Sequence, residues 1–80
     1  MEHSFELPVT YKNAELLLPG RLVAFTYSYK FYIMVNDIEL IFERDDNGAF
    51  RVVKQENMPV NYHDIDRGLI AAIIDVLDNL

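Results

Sequence analysis

The sequence predicts an α+β fold: an antiparallel β-meander of about four to five strands, with one C-terminal helix packed on one face. Three observations carry this. Apolar residues recur at every second position through most of the stretch from Phe5 to Val52, the period of strands that turn one face to a core. Asn, Asp and Gly punctuate that pattern at Lys12-Asn13-Ala14, Asn36-Asp37 and Asn47-Gly48, where the chain must reverse. After Asp64 the apolar period lengthens to that of a helix.

The first strand spans residues 4 to 11, with Phe5, Leu7, Val9 and Tyr11 on one side. Pro8 has no N–H to give to a ladder, which places this strand at a sheet edge. Lys12-Asn13-Ala14 turns the chain into a second extended run, Glu15 to Leu18, and Pro19-Gly20 breaks or bulges that run. From Leu22 to Val35, Val23, Phe25, Tyr27, Tyr29, Phe31, Ile33 and Val35 alternate as a core face, with Leu22, Tyr32 and Met34 opposite. One unbroken strand of that length would measure about 47 Å, longer than the roughly 30 Å diameter of a domain this small, so it must bend or split. Thr26 to Lys30, with its small polar residues, is where the break is expected.

Asn36-Asp37 then leads into a strand with Ile38, Leu40 and Phe42 inward, and Asn47-Gly48 predicts a tight primed turn. Phe50 to Lys54 completes the meander, with Phe50 and Val52 facing the core, and Gln55 to Asn61, containing Pro59, reads as a connecting loop. Asp64 is the expected helix N-cap, followed by an apolar stripe of Ile65, Leu69, Ile73, Val76, Leu77 and Leu80. The expected core comprises Phe25, Tyr29, Phe31, Leu40, Phe42, Phe50, Leu69 and Ile73.

Eighty residues with no linker, repeat or low-complexity run make one domain, residues 1–80. Half the residues are apolar, so the chain folds, and with no cysteine it does so without a disulfide or thiolate metal site. A formal charge of −6 opposes the phosphate contacts that nucleic acids and anionic membranes require. No uncharged apolar run approaches the ~18 residues of a membrane helix, and the first residues lack the features of a signal peptide. A cytoplasmic location is therefore expected.

No constellation of catalytic residues emerges. Asp45, Asp46, Asn47 and Glu56 suggest a calcium loop, but Ala49 and Phe50 stand where an oxygen ligand and glycine are needed. His3 and His63 lack the spacing of a paired metal site. Ser4 and Ser28 have no nucleophile elbow, and there is no thiol. Glu39 and Glu43, about 13 Å apart on one strand face, are too distant for a glycosidase pair. The three glycines, 20, 48 and 68, form no phosphate loop. The aromatic cluster Phe25, Tyr27, Tyr29, Phe31 and Tyr32 holds only Lys30 as a cation, so it reads as packing rather than a stacking platform for bases.

Tyr29-Lys30-Phe31, Val35-Asn36, the run Ile41 to Asp46, and Phe50-Arg51-Val52 resemble a group of short uncharacterised bacterial proteins. The resemblance covers residues 15 to 54 and the closing helix. It implies the same meander with a C-terminal helix and supplies no function, so no site residue is carried over from it.

The leading expectation is a small acidic, non-catalytic protein-interaction module, its partner being another protein or a second copy in a homodimer. Its candidate surface is Tyr32, Met34 and Ile41 on the outer sheet face, with Val53 beside them, together with Ile70 and Ile74 on the flank of the helix. The alternative is a small-molecule-binding domain or enzyme accessory subunit, with a ligand between helix and sheet near Tyr27, Tyr29 and Tyr62. No catalytic, cofactor-binding or metal-binding residue is assigned, and no cofactor is expected.

Overall fold

The computed structural model describes residues 2–53, 55, 58 and 60–80, with Val60 and Asn61 described by their backbone alone. Five strands follow one another: β1 (Glu2–Tyr11), β2 (Ala14–Ala24), β3 (Tyr29–Val35), β4 (Ile38–Arg44) and β5 (Phe50–Val52). They form one antiparallel sheet in the order β1-β2-β3-β4-β5. A 3-10 turn at Val60–Asp64 leads to α1 (Arg67–Asp78), the one α-helix among the described residues. This is the α+β meander with a C-terminal helix that the alternation predicts. Lys54, Glu56 and Pro59 lie outside the described residues, so the expected end of the last strand, the Glu56 ligand and the proline of the connecting loop have no structural account.

The first and third hairpins turn on adjacent residues with positive φ: Lys12 (49°) with Asn13 (63°), and Asn36 (49°) with Asp37 (65°). Left-handed pairs of this kind give the twist that two antiparallel strands need, and Asn and Asp adopt them at least cost. The fourth connection differs from the primed turn expected at Asn47-Gly48. The pair Arg44↔Phe50 leaves five residues between β4 and β5. Gly48 N–H bonds the carbonyl of Asp45 at 3.0 Å, and Gly48 alone has positive φ, +83°. The Asp45 carboxylate caps the loop by accepting from the amides of Asn47 and Ala49. A side chain that holds two amides favours the longer loop over the tight turn.

Pro19-Gly20 does not interrupt β2, which runs straight through both. Glu6↔Pro19 and Pro8↔Leu17 are alternate pairs of the β1–β2 ladder. Antiparallel pairs alternate between bonded and non-bonded, so both ring nitrogens occupy non-bonded positions and cost that ladder nothing. On its other side β2 pairs with β3 only as far as Gly20↔Ile33. Pro19 thus ends the β2–β3 ladder where it would have needed an N–H. Gly20 faces the core, and a Cβ there would lie 2.8 Å from Ile33 Cδ1 and 3.1 Å from Phe5 Cζ. The missing side chain is the space these two occupy.

The stretch Leu22 to Val35 splits as its length demands, at Phe25–Ser28, closed by Phe25 N–H bonding the Ser28 carbonyl at 2.6 Å. Because Leu22 pairs with Phe31 and Ala24 with Tyr29, even positions of β2 share a face with odd positions of β3. The expected core face is therefore correct only after the turn. Phe31, Ile33 and Val35 are buried, whereas Phe25 is half exposed, Tyr27 is 98% exposed and Tyr29 stands 38% exposed at the sheet end. Val23 faces outward by the same register, and Leu22 packs against the core instead.

The helix begins later than the Asp64 cap predicts. Its N-cap is Asp66, whose carboxylate accepts from Gly68 N–H at 2.8 Å, and Ile65 is buried just before it. Leu69, Ile73 and Leu77 form the buried stripe; Val76 is half-buried, and Leu80, past the last turn, is 77% exposed. The helix reaches both outermost strands, β1 and β5, and so crosses the whole width of the sheet. Asp66 meets Tyr11 at one end of β1, and Asp78 accepts from Phe50 N–H at the opposite end of the sheet. The crossing is diagonal. Ile33, Leu40 and Phe42 of the sheet and Ile73 of the helix are fully buried between the two layers, each large apolar side chain contributing roughly 1.5–3 kcal/mol.

Candidate functional site

A diagonal helix of 12 residues, about 18 Å long, cannot shelter a sheet whose first two strands hold ten and eleven residues, about 33 Å or more. The corner left over lies at the start of β1. There Phe5 and Leu7 from β1, Leu22 from β2, Phe31 from β3 and Leu80 beyond α1 line an open groove of about 360 Å³. Phe5 sets its ring edge to face against Phe31, centroids 5.9 Å apart, and Leu7 is buried beside them. His3, Glu6 and Pro8 complete the rim, so the groove is apolar inside and, among the described residues, has no lysine or arginine on its lip.

The same corner exposes backbone. β1 is the outermost strand and, among the described residues, pairs only with β2. Since Pro8 and Pro19 fix the non-bonded pairs, Glu2, Ser4, Glu6 and Thr10 direct their N–H and C=O away from β2, toward the open side. Pro8 interrupts that row once. The run from Glu2 to Glu6 is thus an unblocked edge lying along the apolar groove. Glu2 and Glu6 carry its charge. Glu2 accepts from Arg21 Nη1 at 3.1 Å, while Glu6 is exposed and makes no ion pair among the described residues.

The five surface residues expected from the sequence do not form one surface. Tyr32, Met34 and Ile41 share the outer face, where Tyr32 pairs across with Ile41 and Met34 with Glu39. Charges surround them. The Arg21 guanidinium stacks over the Tyr32 ring at 4.4 Å and donates twice to Glu39 at 3.2 Å, and these carboxylates raise its pKa above the usual value. Glu43 binds Arg51 at 2.8 Å and Lys30 at 3.7 Å. Tyr32 and Ile41 are half-buried in this network, with Met34 36% exposed. Val53 follows β5 and bonds its N–H to the Ile41 carbonyl. Ile70 and Ile74 lie on the other side of the sheet, both half-buried against the core.

The phenols of the ligand reading do not converge. Tyr27 is almost wholly exposed, Tyr29 accepts from Arg44 Nε at 3.2 Å, and Tyr62 packs edge to face with His63. Beneath the helix Ile33, Leu40 and Phe42 are fully buried, away from all three phenols. Asp45, the first residue of the suggested calcium loop, spends its carboxylate on the turn amides, and among the described residues no three His, Cys, Asp or Glu come together to hold a metal ion.

One titratable cluster stands apart from these. The Tyr11 hydroxyl donates to Asp66, Lys12 reaches the same carboxylate at 3.2 Å, and Gly68 N–H binds its other oxygen. The Tyr11 hydrogen bond, followed by that from Gly68, holds the Asp66 pKa at about 2, and the Tyr11 phenol rises in turn because its proton is held there. Gly68 makes this possible, since a Cβ would lie 3.0 Å from the Tyr11 oxygen. The cluster ties the first hairpin to the helix start, with its polar atoms engaged by one another.

No family model, curated protein or solved structure matches the chain. Among the described residues no helix is long and apolar enough to cross a membrane.

Proposed function

We propose that this protein is a small non-catalytic interaction module whose working surface is the free β1 edge together with the apolar groove beside it. The observation that carries the reading is their coincidence. Unpaired backbone groups at Ser4 and Glu6 offer hydrogen bonds to an added strand, and Phe5, Leu22 and Phe31 offer apolar surface to its side chains. Addition of a strand to a sheet edge draws affinity from the main chain and specificity from such pockets. The edge supports this reading better than the outer face, where Arg21, Glu39, Glu43, Lys30 and Arg51 already satisfy one another. A cytoplasmic setting belongs to the same reading, in keeping with a sequence that has no cysteine to oxidise.

The test exploits the ladder. Ser4→Pro removes an outward N–H, as Pro8 does naturally, and leaves the β1–β2 bonds in place. Capture from a cell extract on immobilised protein, quantified by mass spectrometry, should return partners that bind wild type and the Tyr32→Ala variant but are lost with Ser4→Pro. Partners retained by Ser4→Pro and lost with Tyr32→Ala would move the working surface to the outer face.

A further inference from the structure

We infer that the occupant of the β1 edge is an extended segment of another protein in which basic and apolar residues alternate. The inference rests on the reading of β1 as the working edge and goes further by naming the chemistry of its partner. A strand added beside β1 continues the pleat, so alternate side chains go to opposite faces. On the inner side they meet the groove of Phe5, Leu7, Leu22, Phe31 and Leu80, which accepts apolar groups. On the outer side they stand beside Glu2, Ser4 and Glu6, two carboxylates and a hydroxyl. Directly opposed strand residues of opposite charge stabilise, and like charges destabilise. Arg21, the only cation on β2, is already held between Glu2 and Glu39, which leaves Glu6 as the unpaired charge at this edge among the described residues. With a net charge of −6 the whole chain attracts a cationic segment.

A second copy of this chain fits less well. Two β1 strands paired antiparallel about Ser4 would set each Glu6 opposite the other chain's Glu2, placing carboxylates face to face between two chains that each carry −6. Pairing further along meets Pro8. The edge therefore favours a cationic strand over its own.

Three fluorescein-labelled eight-residue peptides separate the possibilities: lysine alternating with valine, threonine with valine, and glutamate with valine. Anisotropy titration should show the lysine peptide binding wild type at least tenfold more tightly than the glutamate peptide, with the threonine peptide between and the preference shrinking as salt rises. Ser4→Pro should weaken the lysine peptide at least tenfold, and Glu6→Lys should reverse the order of lysine and glutamate peptides. Leu80→Asp, at an exposed position outside the helix, should weaken all three. Equal binding of lysine and threonine peptides, unchanged by Glu6→Lys, would overturn the basic partner and leave the edge reading standing. Binding of none, or lysine-peptide binding indifferent to both Ser4→Pro and Leu80→Asp, would overturn both. Light scattering that gives a dimer at tens of micromolar, converted to monomer by Ser4→Pro, would assign the edge to a second copy and overturn the inference.

Discussion

Strand β4 gives Ile38, Leu40 and Phe42 to one face of the sheet and Glu39, Ile41 and Glu43 to the other. Under the helix, all three residues of the first set are buried. On the open face Ile41 is half-buried among ion pairs that link β1 to β2 to β4, and β3 to β4 to β5. The two faces arise from one alternation, yet the covered face is held by apolar burial and the open face by charges in water. Removal of surface from water is worth far more than an exposed ion pair. The difference teaches that stability is concentrated on the covered face, and that the charges of the open face contribute mainly to solubility.

The largest expected effect comes from the covered face. Phe42 has no exposed surface, and Phe42→Ala should cost about 3–5 kcal/mol through lost burial and the cavity left behind. That is a large share of the ~4–12 kcal/mol open to a domain of this length. A urea melt of the variant within ~1 kcal/mol of wild type would break the comparison at once. Gly20 comes next. Gly20→Val inserts methyl groups where Ile33 Cδ1 and Phe5 Cζ already stand, and overpacking of this kind costs about 1–3 kcal/mol. A valine placed instead on the open face, in Ser4→Val, falls at an exposed position, so the two urea midpoints should separate clearly.

Gly20 also shows where the sequence ceased to be legible. A Pro-Gly pair normally signals a turn, and only the position of Phe5 and Ile33 across two neighbouring strands explains a glycine inside a straight one. The order of strands, the Asn36-Asp37 hairpin and the inward set Ile38, Leu40, Phe42 and Phe50 were legible because each rests on local chemistry. The run Phe25, Tyr27, Tyr29 was misleading for the converse reason. Its aromatics continue the alternation through a turn that has neither glycine nor asparagine, so the change of parity between β2 and β3 leaves no local mark. The groove at Phe5, Leu22 and Phe31 was also invisible, although a signal existed: ten- and eleven-residue strands present more apolar surface than one short helix covers. Which corner stays open depends on the diagonal that Tyr11–Asp66 and Phe50–Asp78 impose on the helix, and those contacts join residues 55 and 28 positions apart.

The first of those contacts gives a pH-dependent test of how the covering helix is attached. The Asp66 carboxylate titrates at about 2 in the folded chain, below its usual 3.8, chiefly through the Tyr11 hydroxyl. A depressed carboxylate stabilises the fold above its unfolded pKa, and that stability is lost as pH falls from about 4 through about 2. Asp66→Asn keeps a capping oxygen but lacks the charge that Lys12 meets. Its urea midpoint should lie below that of wild type by a constant margin above pH 5, and the margin should close as pH approaches 2. A margin that persists unchanged at pH 2 would show that the carboxylate's ionisation contributes nothing to holding the helix start.

The smallest expected effect comes from the open face and sharpens the comparison from the other side. Glu43 is the acceptor of two ion pairs, with Arg51 on β5 and Lys30 on β3, and its side chain is the least exposed of the three. If the open face contributed as the covered face does, losing both pairs at once in Glu43→Gln would cost as much as a core truncation. Exposed pairs gain little because water screens them and two long side chains must be ordered, so the expected cost is about 0.5 kcal/mol. Gln keeps a carbonyl that still accepts from Arg51, which lowers the cost further. Salt gives the independent check: at about 1 M the screening length falls to ~3 Å, comparable to the pairs themselves, and wild type and Glu43→Gln should then melt together in a thermal scan. A gap that survives high salt would mean that Glu43 acts through packing of its side-chain stem rather than through charge, and the open face would then share the covered face's way of holding the sheet.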